Sequence, residues 1–74
     1  MKLIRKTENK SRYHYIYKRK DFTVKEIFIY KNRYTKEELE FIDSLFNSID
    51  ESNLVIIKAF VNRKNGLLNN DNKL

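Results

Sequence analysis

Arg12-Tyr13-His14-Tyr15-Ile16-Tyr17-Lys18-Arg19-Lys20-Asp21-Phe22-Thr23-Val24-Lys25-Glu26-Ile27-Phe28-Ile29-Tyr30 is the stretch from which the rest of the chain can be placed. Tyr13, Tyr15 and Tyr17 alternate with Arg12, His14, Ile16 and Lys18, the period-two pattern of a strand with two unlike faces. Phe22 to Lys31 is rich in β-branched and aromatic residues and reads as a second strand. Arg19-Lys20-Asp21 between them reads as a tight connection, so the pair forms a hairpin. Its face parity depends on the turn. A two- or four-residue turn sets Tyr17 opposite Phe22 and Tyr15 opposite Val24, and puts the tyrosines with Phe28 and Tyr30 under the helix. A three-residue turn lines Tyr13, Tyr15 and Tyr17 up with Thr23, Lys25 and Ile27 instead. The sequence leaves both open.

Downstream of the hairpin lies a helix. Thr35 is an N-cap residue with Glu38 three positions on, the capping-box spacing. Glu37, Glu38 and Glu40 follow in the first turns, where the helix dipole favours acids. Leu39, Ile42, Leu45, Phe46 and Ile49 recur at three and four residues and form one apolar stripe. The expected span is Lys36 to Ile49, fading in Asp50-Glu51-Ser52-Asn53. Leu54-Val55-Ile56-Ile57-Lys58-Ala59-Phe60-Val61-Asn62 reads as another strand, apolar on both faces and suited to the sheet interior. A weaker strand is expected at Lys2–Thr7, joined to the hairpin by Glu8-Asn9-Lys10. The order is (β)ββαβ, an α+β fold with a small antiparallel-dominated sheet of three or four strands packed on one helix. Residues 1–63 form the single domain, and 64–74 a flexible polar tail.

Charge is segregated along these elements. Residues 1–36 hold twelve Lys/Arg against three acids, residues 37–51 hold six acids and no base, and residues 52–74 hold four bases and Asp71. The net charge is +6. A clustered basic surface favours polyanions, and an acidic patch docks a basic partner. At 74 residues there is room for one small domain with a thin stability margin. Without cysteine there is neither a disulfide nor a thiolate metal site. No apolar run is long enough for a signal peptide or a membrane span, which points to a cytoplasmic protein. The Lys-, Asn-, Ile- and Tyr-rich usage is what an A/T-rich genome produces, such as that of a low-GC bacterium or its phage.

Two functions from different classes follow. The first is a small non-enzymatic basic protein that contacts nucleic acid, RNA or DNA, through the Lys/Arg/Tyr-rich hairpin. Arg12, Lys18, Arg19, Lys20, Lys25 and Arg33 would hold phosphates, and Tyr15 and Tyr17 would offer stacking rings. The bland alternative packs the tyrosines under the helix and leaves the cations as a solvated edge. The second is a small phage or mobile-element inhibitor of the anti-defence (anti-CRISPR-like) kind. It would present Glu37, Glu40 and Asp43 to a host enzyme or complex that handles nucleic acid. The double-faced segment 54–61 adds a possible homodimer or hetero-complex surface.

His14, the one histidine, has no second His or Cys with which to hold zinc. Across the hairpin it can approach Glu26 or Lys25. With Tyr15 and Arg12 it would then make a crude acid–base set for RNA cleavage; an ordinary strand histidine is the plainer reading. No cofactor motif is present. A strand, a hairpin and then a helix, with basic strands, is similar in element order to some DNA-binding arms of recombinases. The strong final strand departs from that order.

Overall fold

The computed structural model describes residues 1–73, and the side chains of residues 1–64. Three strands, β1 (Lys2–Glu8), β2 (Arg12–Lys18) and β3 (Val24–Tyr30), form an antiparallel sheet in the order β1-β2-β3. A short 3-10 turn (Lys31–Arg33) leads into α1 (Lys36–Asn47), which is followed by α2 (Glu51–Lys73). The fold is a three-stranded sheet with two helices packed on one face.

Each connection has a local cause. Between β1 and β2 the Asn9 side-chain oxygen accepts from the Ser11 amide, the Ser11 hydroxyl and the Arg12 amide at 2.9–3.0 Å. This is the Asx arrangement that lets a side chain stand in for a turn's backbone acceptor. Between β2 and β3, Asp21 accepts from the Thr23 amide at 3.1 Å and the Thr23 hydroxyl at 2.6 Å. The Phe22 amide donates to the Arg19 carbonyl, and the Arg19 amide to the Thr23 carbonyl. The capping box of α1 is complete, with Thr35 Oγ1 accepting from the Glu38 amide and Glu38 Oε1 from the Thr35 amide.

The turn spans Arg19–Thr23, longer than the three residues expected, but of the same odd parity. Lys18 is paired with Val24, Tyr17 with Lys25, Tyr15 with Ile27 and Tyr13 with Ile29. Of the two parities left open, the even-turn one, which put Phe28 and Tyr30 with the tyrosines, is excluded; they lie on the opposite face with His14 and Arg12. In β1, Leu3, Lys6 and Glu8 pair with the tyrosines, and the register shifts between Leu3 and Arg5.

The segment read as a final strand is helical. Asp50 starts α2, its carboxylate accepting from the Asn53 amide at 2.8 Å and its carbonyl from the Leu54 amide at 2.9 Å. Leu54 and Ile57 are buried and Val61 is half-buried, spaced by three and four as one helix face requires. The run Val55-Ile56-Ile57 favours strand by propensity, and the packing of that face outweighs it. The order is therefore βββαα, with a second helix where the last strand was expected; element order alone carries no function. α2 continues as backbone to Lys73. The flexible tail expected over 64–74 lies almost wholly outside the residues described in full.

The core joins Tyr15, Tyr17 and Ile29 from the sheet to Ile42, Leu45 and Phe46 from α1, Ile49 from the link, and Leu54 and Ile57 from α2. The Tyr15 and Phe46 rings stack at 3.8 Å, tilted by 5°. Among the described residues no helix is long and apolar enough to cross a membrane.

Candidate nucleic-acid interface

The sheet has one covered face and one open face. Strand alternation sends Leu3, Lys6, Tyr13, Tyr15, Tyr17, Ile27 and Ile29 toward the helices. The other face carries Lys2, Arg5, Arg12, His14, Ile16, Lys18, Val24, Glu26, Phe28 and Tyr30. None of these ten is buried. Four are cations and one, Glu26, is an acid. His14 Nε2 lies 3.1 Å from Glu26 Oε2 and its ring stacks on Phe28 at 4.3 Å, while the Arg12 guanidinium sits 4.4 Å from the same ring. Lys2 and Lys18 stand directly opposite one another across the β1–β2 ladder. A like-charge cross-strand pair works against the sheet, and an anion lying over it reverses the sign.

The hairpin tip extends this face. Phe22 has φ 67°, the left-handed region. For a residue with a Cβ that conformation costs about 1 kcal/mol. The residue is 79% exposed, with Lys18 Nζ 5.8 Å from its ring centroid. Lys2, Lys18, Arg19 and Lys20 line the same shallow recess as Phe22. At the far end of the sheet Lys10, Ser11, Tyr30, Lys31 and Arg33 line another, and the Arg33 guanidinium lies 5.0 Å from the Tyr30 ring.

The structure divides the sequence-selected residues. Arg12 and Lys18 belong to the open face, Arg19 and Lys20 to the tip, and Arg33 to the far end. Lys25 pairs with Tyr17 and so points to the helix side. Tyr15 and Tyr17 are corrected outright: they are 1% and 2% exposed in the core, so no base can stack on them. The most exposed ring on this side is Phe22, which sequence reasoning passed over as a strand residue. Two signals could have found it: an aromatic residue directly after Lys-Arg-Lys-Asp, and the odd parity that puts it in the turn.

Tyr15 instead anchors the core. Its hydroxyl donates to Asp43 Oδ1 at 2.8 Å, and Lys6 Nζ donates to the same oxygen at 2.6 Å. Burial, then the Asp43 carboxylate, pushes the Tyr15 phenol well above its ordinary range. Burial also pushes Asp43 up, but the hydrogen bonds from Lys6 and Tyr15 outweigh it and hold the carboxyl below its ordinary value. Asp43 is thereby committed to holding α1 on the sheet, which corrects its place in the acidic docking face; Glu37 and Glu40 stay exposed. Glu38 is also engaged, accepting from Lys64 at 3.2 Å.

The acid–base set around His14 does not assemble. Arg12 and Glu26 join His14 on the open face, but Tyr15 and Lys25 project through the other side of the sheet. Among the described residues no group of three or more His, Asp or Glu side chains is gathered to hold a metal. Comparison with protein-family models, with curated proteins and with solved structures found no match.

Proposed function

We propose that the protein binds nucleic acid through the open face of its sheet and the hairpin tip, without catalysing a reaction. The observation that carries this reading is Phe22. An exposed phenyl ring held in an unfavourable backbone conformation among Lys2, Lys18, Arg19 and Lys20 has no packing role in the fold. Left-handed residues are regular in longer hairpin loops; what points outward here is that the residue placed there is a phenyl ring whose backbone cost no burial repays. The cations would neutralise phosphates along the strand, and the ring would stack on a base or wedge between base pairs. Arg12 and Lys18 are the open-face contacts of β2, and Arg19 and Lys20 those of the tip.

The test is fluorescence anisotropy with labelled single-stranded RNA, single-stranded DNA and duplex DNA at about 50 and about 200 mM salt. The reading expects a preference for one substrate that survives the higher salt and is lost in Phe22→Ala. Equal, weak binding to all three that disappears at the higher salt reduces the face to generic basicity.

A second reading, the protein inhibitor or adaptor, has an observation of its own. Val55 and Ile56 are exposed on α2 and, with Ala59, Phe60 and Arg63, line an open apolar groove. Phe41 of α1, itself exposed, lies edge-on to Phe60 at 5.9 Å. A partner seated there would leave the sheet face free. Charge reversal at Glu37 and Glu40 together with Val55→Lys would abolish such an interaction and leave nucleic-acid binding unchanged.

A further inference from the structure

A groove of roughly 490 Å³ runs between the β3 edge and α2, on the helix side of the sheet. Tyr17, Arg19, Lys25, Lys58 and Asn62 line it, with Ile27 and Val61 as its apolar part. These residues come from β2, the hairpin loop, β3 and α2. The one acid on the rim, Glu26, is engaged by His14 on the other face. Lys25 and Lys58 have no ion-pair partner among the described residues.

The second observation is the Tyr17 hydroxyl. The residue is 98% removed from solvent, being 2% exposed, yet its hydroxyl makes no hydrogen bond among the described residues. No side-chain oxygen or nitrogen in the described structure is both sealed from solvent and unsatisfied. The Tyr17 oxygen therefore keeps a path to solvent, and the surface that Tyr17 lines is this groove. Burial raises the Tyr17 phenol above its ordinary range, with the Arg19 charge acting against that rise. Tyr15, two residues back on the same face, shows the contrast: its hydroxyl is spent on Asp43.

We propose that this groove binds a phosphoryl group in its dianionic form. Three cations, a phenolic hydroxyl and an amide line the groove from four elements, and with Glu26 on the rim the lining carries a formal charge of +2. A singly charged carboxylate would leave more of that charge unmatched than a dianion with several acceptor oxygens. Arg19 supplies the planar fork that phosphate geometry fits, and Lys25 and Lys58 act as point charges. The site lies on the opposite side of the sheet from the nucleic-acid face and shares with it only Arg19 and the rim residue Glu26; Tyr17, Lys25 and Lys58 belong to the groove alone, so either assignment can fail without the other.

The experiment is a titration of the isotopically labelled chain with inorganic phosphate, followed by amide NMR shifts, with chloride at matched ionic strength as the control. The proposal expects saturable shifts confined to Tyr17, Arg19, Lys25, Lys58 and their neighbours. Tyr17→Phe, which removes no internal hydrogen bond, should weaken binding by roughly tenfold, as loss of one charge-assisted hydrogen bond does. Lys58→Gln should do the same. Linear shifts shared by lysines across the surface and reproduced by chloride overturn it, as does unchanged affinity in Tyr17→Phe. Comparing 5′-phosphorylated with 5′-hydroxyl oligonucleotides separates the sources. A gain from the terminal phosphate that Lys58→Gln removes assigns a nucleic-acid end. Equal oligonucleotide affinities beside saturable inorganic phosphate assign a free phosphate.

Discussion

The two faces of β2 belong to the same seven residues and do opposite work. On one side Tyr15 and Tyr17 lie in the core against Phe46, and Tyr13 packs at its margin. On the other Arg12, His14, Ile16 and Lys18 face outward with no helix over them. The inner face shows what the fold needs: large rings, and a hydroxyl tied to a carboxylate. The outer face and the adjoining hairpin tip show what the core does not use: Lys18 opposite Lys2, and the Phe22 ring in a left-handed turn. On the proposed reading, the exposed residues that the core does not use are the ones assigned to binding.

The comparison breaks most visibly from the inner side. Phe46→Ala removes the ring stacked on Tyr15 and should cost about 3–5 kcal/mol, against a total stability of about 5–15 kcal/mol for domains of ordinary size. Urea unfolding followed by circular dichroism should show a chain unfolded or nearly so. An equal loss from Arg12→Ala would erase the distinction between faces.

Asp43→Asn comes next. It takes the charge from the acceptor shared by Tyr15 and Lys6 and should cost about 1.5–3 kcal/mol, before discount for its partial exposure. The pH profile carries the sign. Asp43 is held below its ordinary value when folded, so its contribution is present above about pH 4 and is lost as pH falls through the lowered folded value. Tyr15 is raised when folded, so its contribution is intact below about pH 10 and fades as the unfolded phenol ionises above that. Thermal melts across pH should show both flanks in the native chain; in the variant the acid flank should flatten and the alkaline flank, set first by burial, should change less.

Arg12→Ala with Lys18→Ala sharpens the outer side. Stability should move by no more than about 0.5 kcal/mol, as for surface positions. If the ligand is a duplex, the slope of log affinity against log salt should flatten by about two. Phe22→Gly has the smallest expected effect on the fold. The glycine relieves the left-handed strain, so the melting temperature should hold or rise slightly, while loss of the ring should cost about 1–3 kcal/mol of binding if it stacks on a base.

How much of this was legible in the sequence follows the strength of the local signals. The helix at Lys36–Asn47 was, because Thr35, Glu38 and the stripe Ile42, Leu45, Phe46 specify start, dipole and face together. The hairpin was legible as a hairpin but not in register, since parity rests on a loop of Arg-Lys-Asp-Phe-Thr whose key bond, Asp21 to Thr23, has no unique signature. With the register went the assignment of Tyr15 and Tyr17. The segment from Leu54 was misread because Val55, Ile56 and Ile57 carry strand propensity. The weaker counter-signal, Asp50 before a buried Leu54, Ile57 and half-buried Val61, was lost in what looked like a fading helix end. The cations Arg12, Lys18, Arg19 and Lys20 could be named from composition, but a charge count cannot say which side of a sheet a lysine leaves from, and Lys25 leaves from the other.

The most direct test is an amide NMR titration of the labelled chain with the oligonucleotide that anisotropy favours. The account predicts that shifts gather at Arg12, His14, Lys18, Phe22 and Phe28 and leave α1 at Glu37 and Glu40 unmoved. Shifts that gather on the helices, or none that saturate, would contradict it.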